Sequence, residues 1–131
     1  MEREIINPWQ WQDQFGFVQA NQIREAKNIL FCAGQTSVDG EGNPVHPGDM
    51  AGQINQALDN LETILERAGF KLADIVQLKY YTTDVIAFAN AGRVLGERLA
   101  KAECRPASTL LGVSALFHPD IIVEIEAVAV S

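Results

Sequence analysis

A chain of 131 residues with 47% hydrophobic content is enough for one domain, spanning 1–131, around a single core. Its 17 Asp and Glu against 10 Lys and Arg give a formal charge of −7, and the cations are scattered, so it lacks the basic stripe that a phosphate backbone requires and nucleic acid is not an expected partner. No apolar run reaches the ~18 residues of a membrane span, and Met1-Glu2-Arg3-Glu4 does not open a secretory leader, so no membrane partner and a cytoplasmic location are expected.

In chain order, the residues up to about Gln14 read as an irregular segment, with Pro8 set among polar residues and Trp9 and Trp11 packing on a neighbour. Gly16–Ala20 and Ile29–Thr36 read as strands, separated by the polar stretch 21–28, and a hairpin between them is expected. Cys32 lies in the second apolar run and reads as a small buried hydrophobe; with Cys104 it makes two free thiols, too few for a disulfide framework. Residues 39–44, Asp-Gly-Glu-Gly-Asn-Pro, form a solvated turn rather than a calcium loop, which would need a glutamate at its twelfth position.

From Asp49 the period changes. Ile54, Ala57, Leu58, Leu61, Leu65 and Ala68 recur at helical steps, with Gln53, Gln56, Asp59, Glu62 and Glu66 between them; Asp49 suits the N-cap and Gly69 the C-terminal left-handed position. Ile75–Thr83 alternates as a strand, placing one of Tyr80 and Tyr81 in the core and the other on the opposite face. Phe88, Ala91, Leu95, Leu99 and Ala102 make the stripe of a second helix, which Pro106 ends. Ser108–Val113 and Ile121–Val130 are the closing strands.

The order ββαβαββ describes an α+β domain in which two amphipathic helices cover one face of a mixed sheet. On the last strand Ile121, Val123, Ile125, Ala127 and Ala129 point to the helices, whereas Ile122, Glu124, Glu126, Val128 and Val130 point away. That second face is too apolar to be left in water, and a symmetric oligomer would cover it.

Chemistry-bearing groups are sparse. Glu124 and Glu126 share one side of a strand about 6–7 Å apart, a spacing open to divided acid and base roles or to simple edge charges. His46 and His118 are loop residues beside prolines, neither at metal-ligand spacing, and the glycines fit no phosphate-binding loop. Arg105-Pro106-Ala107-Ser108-Thr109 leads an arginine into hydroxyl residues at a strand start, where it could bind a carboxylate, form a salt bridge or cap.

Ala33-Gly34-Gln35 after a strand, residues 56–61 (Gln-Ala-Leu-Asp-Asn-Leu), Ala68-Gly69 ahead of Asp74-Ile75-Val76, and Val123-Glu124-Ile125-Glu126-Ala127 together resemble the Rid (YjgF) family, from roughly Phe15 to the C-terminus. The resemblance implies a chorismate-mutase-like fold, a homotrimer, and clefts between subunits that bind a small-molecule metabolite. Its best-known branch hydrolyses enamines and imines such as 2-aminoacrylate to keto acid and ammonia with no metal or organic cofactor. An arginine two residues after a proline holds the substrate carboxylate there, and a glutamate on the last strand positions water.

Carried over residue by residue, Glu124 matches the catalytic glutamate, and Ser108 stands at the arginine position. Ala33 replaces a serine, Phe17 falls where a pocket tyrosine is usual, and Gly92 falls where an asparagine would be. The expected substrate-binding set is Ser108, Thr109, Leu110, Arg105, Phe17, Ala33 and Gly34. Arg105 lies three residues, about 10 Å of extended chain, from Ser108 and on the opposite side of the strand, so it does not restore the clamp. Such a branch would be a deaminase-type hydrolase with a substrate other than 2-aminoacrylate, or a non-catalytic metabolite-binding trimer. A third reading, the ribonuclease activity once attached to the family, fits poorly with a charge of −7.

Overall fold

The computed structural model describes all 131 residues. Four strands form a mixed sheet in the order β3-β6-β4-β5: β3 (Ile29–Thr36), β4 (Ile75–Thr82), β5 (Ala107–Gly112) and β6 (Val123–Val130). β6 lies antiparallel between β3 and β4, and β5 runs parallel to β4 at the edge. The helices are α1 (Met50–Ala68), α2 (Val85–Asn90) and α3 (Gly92–Lys101).

The helix α1 begins where Asp49 accepts a hydrogen bond from the Gly52 amide and ends at Gly69, whose φ of 81° suits glycine. Its apolar face, Ile54, Ala57, Leu58, Leu61 and Leu65, is fully buried against Leu78, Val123, Ile125 and Ala127 of the sheet. Ala68, in the last turn, is exposed instead. Gln53 is wholly buried despite its polar side chain, because its amide donates to the carbonyls of His46 and Asp120 and accepts from the Ile122 amide. It therefore ties the loop before α1 to the start of β6 and leaves no buried donor unpaired.

The second helical stretch is broken at Ala91 into α2 and α3, and Phe88, Leu95 and Leu99 still bury from it. Tyr80 is the core tyrosine, with its ring centroid 5.4 Å from that of Phe88. Val123, Ile125, Ala127 and Ala129 bury in the core with the helices, as the alternation requires, and Ile121 is buried just ahead of β6; Val130, expected on the outward face, is buried too.

The N-terminal region departs from the expected order. Residues Glu2–Ile6 form a strand, β1, paired antiparallel with β2 (Ala20–Arg24) in a separate two-stranded sheet, so the hairpin partner of the second strand is the N-terminus and not β3. Gly16 at φ 75° closes a short 3-10 turn over Trp11–Phe15, which prevents a strand from starting there, and Val18 makes only an isolated bridge to Ala107. The order is therefore ββ-βαβ-αα-ββ.

What holds this hairpin in place is Arg3. Its guanidinium donates to Asn21 Oδ1 and to the carbonyls of Ala73, Ile75 and Arg105, at 2.6–3.3 Å. Asn21 adds bonds to the carbonyls of Val76 and Arg105. One buttress thus fixes both the start of β4 and the residue that leads into β5.

Candidate functional site

On the sheet face away from the helices, Tyr81 lies opposite Glu124 and Lys79 lies opposite Glu126 across the β4–β6 ladder. Glu124 is half-buried, and its carboxyl has no hydrogen-bond donor or ion pair within the chain. β3 slips register against β6 between Cys32 and Gln35, so Ala33 and Gly34 form a bulge beside it. A Cβ placed on Gly34 would come within 2.6 Å of the Glu124 carboxyl carbon and 2.8 Å of its Cγ. The glutamate therefore lies flat across the glycine backbone, in space that only a glycine leaves open.

Burial, and after it the neighbouring charge of Glu126, raises the Glu124 carboxyl above the ordinary glutamate range. Glu126 is occupied differently. The Tyr81 hydroxyl leans diagonally across the ladder and donates to Glu126 Oε1 at 3.0 Å, and this bond, with the carboxylate charges, raises the Tyr81 phenol. One carboxylate is thus fixed by a partner while the other is left free to accept or release a proton. The sequence pattern paired the two glutamates; the engagement of Tyr81 was invisible there because it depends on register.

The remaining predicted residues lie elsewhere. Ser108 pairs with Leu78 and Leu110 with Tyr80, which puts both on the helix side of β5; a Cβ on Gly112 would touch Val85 of α2, in agreement with that parity. Thr109 pairs with Lys79 and faces the same side as the glutamates. Phe17 is half-buried with its ring edge-on to Trp11 at 5.8 Å, next to the Val18–Ala107 bridge. Arg105 is exposed at the foot of β5, its carbonyl held by Arg3.

Ala33, Gly34 and Glu124 thus form one group, and Phe17, Arg105, Ser108, Thr109 and Leu110 another. Glu124 is level with Leu111, two strands and three residues from Ser108, or about 14 Å at standard sheet spacings. Two shallow clefts of about 250 and 350 Å³ lie where the ends of α1 and α3 meet, around Leu72 and Ala102, and contain none of these residues. The sheet face bearing Glu124 is open, with Phe31 77% exposed and Ile29 58% exposed beside it.

Residues 14–131 match the family model described as Endoribonuclease L-PSP. A RutC family protein of Pyrococcus horikoshii is 37% identical over 83% of this chain and 84% of its own length. The chain belongs to the Rid (YjgF) family. A conserved Rid-family protein of Yersinia pestis, YyfB, superposes with a TM-score of 0.88 at 32% identity and full coverage of both chains. The YjgF gene product of Escherichia coli superposes at 0.71, with 32% identity over 87% of each chain. An E. coli 2-iminobutanoate/2-iminopropanoate deaminase is 34% identical over 79% of this chain and 80% of its own. The mixed α+β architecture is thus the Rid fold, and imine deamination is a function of this Rid family. No helix of this Rid protein is long and apolar enough to cross a membrane.

Proposed function

We propose that this Rid protein is a cytosolic hydrolase of the imine/enamine deaminase type, acting without a cofactor on a small metabolite other than 2-aminoacrylate, in clefts between the subunits of a homotrimer. The observation that carries this reading is Glu124: a half-buried carboxyl of raised proton affinity, laid over Gly34 and free of internal partners. A group of this kind can take a proton from water and return it to a leaving nitrogen. The E. coli relative named as an iminobutanoate/iminopropanoate deaminase supports the reaction class.

The chemistry asked of the site is modest. Water adds to the carbon of a protonated C=N bond while Glu124 accepts a water proton. The same carboxyl then protonates the nitrogen of the carbinolamine, the C–N bond breaks, and the carbonyl product and ammonium leave. Glu124 is the catalytic residue; Ser108, Thr109, Leu110, Phe17, Ala33 and Gly34 line the substrate, with Arg105 at the margin. An intersubunit cleft is favoured because Glu124 and Ser108 lie about 14 Å apart and on opposite sides of the sheet in one chain and because the open sheet face carries exposed Phe31 and Ile29.

The test is release of ammonia and carbonyl compound from a panel of freshly generated imines, with size measured by sedimentation. We expect acceleration over the buffer rate by a species of three times 14.4 kDa, about 43 kDa. A monomer without turnover would remove this reading. A trimer that binds imine analogues without turnover would leave the second one, a metabolite-binding trimer, which the neutral Ser108 position favours.

A further inference from the structure

Almost every cation of this chain is committed or remote. Arg3 is spent on carbonyls and Asn21, Arg24 pairs with Glu2 and Glu4, Arg93 with Glu97, and Arg98 with Asp59 and Glu62. Lys27 lies in the turn before β3, Arg67 and Lys101 lie in the last turns of α1 and α3, and Lys71 lies just beyond α1. Only Lys79 and Arg105 remain near β4 and β5. Lys79 stands opposite Glu126 on the same face, and Arg105 sits beyond Pro106 at the far end of β5. In a homo-oligomer, neighbouring copies bring only this same set.

Against this stand two carboxylates on one open face. Glu126 is oriented by the Tyr81 hydroxyl on Oε1, which leaves Oε2 free, and Glu124 has no donor at all. Ala33 beside Glu124 is neutral, and so are Phe17, Ser108 and Leu110, the residues a neighbouring subunit would bring to the cleft. With Lys79 as its one cation against the two carboxylates, this face is net negative and favours a cation over a carboxylate.

Resting on the hydrolase reading of this site, we propose that the site selects protonated imines that carry no carboxylate, and that Glu126, fixed by Tyr81, accepts the N–H of the cationic nitrogen while Glu124 handles the attacking water. The balance is R–CH=NH₂⁺ + H₂O → R–CHO + NH₄⁺. A C–O bond forms and the C–N bond breaks. The two water protons end on the departing nitrogen through Glu124, and no oxidant or reductant is consumed.

A matched pair of substrates tests this: the imine formed from benzylamine by a flavin amine oxidase, and the imino acid formed from phenylglycine by an amino-acid oxidase. kcat/KM for the carboxylate-free imine should exceed that for the imino acid at least about tenfold. Separately, benzylammonium is titrated against the protein by NMR. Glu126→Gln, whose amide oxygen still accepts from Tyr81, should weaken binding about tenfold or more. Tyr81→Phe keeps the charge and should weaken it less. A preference for the imino acid, or equal benzylammonium binding by wild type and Glu126→Gln, would overturn the proposal. If neither imine is turned over but benzylammonium binds through Glu126, the hydrolase reading fails and the selectivity for cations stands.

Discussion

Replacing Gly34 by alanine isolates the placement of Glu124 from its chemistry. Gly34 is not among the glycines at positive φ, so its backbone accepts an alanine. The new methyl, however, would lie 2.6 Å from the Glu124 carboxyl carbon. Carbon contacts settle near 3.5 Å, so the carboxyl must retreat by about 1 Å. Because the clash is with a flexible side chain rather than backbone, the stability cost is that of an off-rotamer glutamate, about 0.5–1.5 kcal/mol. A misplacement of about 1 Å at the reacting group can cost about 100-fold in rate. The expected result in an ammonia-release assay is therefore a drop of about that size in kcat with a thermal midpoint within a few degrees of wild type. Full activity in a folded Gly34→Ala protein would show that the carboxyl over this glycine is not the acting group.

Three further outcomes follow from the same geometry. If each cleft takes Glu124 from one subunit and Ser108 from its neighbour, trimers reassembled from equal amounts of two inactive variants, Glu124→Gln and Ser108→Trp, should regain about a quarter of wild-type activity; no recovery would place both groups in one chain's site. Burial raises the Glu124 carboxyl, so the protonated form is favoured by the fold, and its stabilising contribution is complete below the ordinary glutamate range and lost as pH rises through the raised value. Glu124→Gln should accordingly melt slightly higher than wild type at neutral pH, with no advantage in acid; the opposite pH trend would contradict the assigned cause. Arg3→Ala removes its bonds to the carbonyls of Ala73 and Ile75 and leaves that of Arg105 to Asn21 alone, and should cost about 2 kcal/mol in a denaturant titration, whereas an unchanged midpoint would show the hairpin to be held by its apolar contacts.

Periodicity made most of the sheet and its helices legible. The alternation along 121–129 separated the buried side chains from the half-buried ones, failing only at Val130, which is buried as well, and the three-and-four spacing from Ile54 to Leu65 located α1 with both of its caps. The N-terminal strand was hidden because Glu2 and Glu4 alternate with Arg3 and Ile5, so the inward positions include a charge, and only the four acceptors around Arg3 explain how that charge is tolerated. Gln53 was hidden for a related reason: a polar residue at a helical step reads as solvent-facing unless the backbone it satisfies, at His46, Asp120 and Ile122, is already known. At the candidate site, the pairing of Glu124 with Glu126 follows from a period of two. The bulge at Ala33-Gly34, the reach of Tyr81, and the separation of Ser108 from Glu124 depend on strand order and register, which local pattern does not encode.

The central claim is that Glu124 is the proton-handling group of an imine hydrolase. Its most direct test is the rate of ammonia release by Glu124→Gln against wild type, measured on intact oligomers with a freshly generated carboxylate-free imine. Loss of a general acid–base group predicts a fall in kcat of about 100-fold or more, with KM little changed. Equal rates for the two proteins would contradict it.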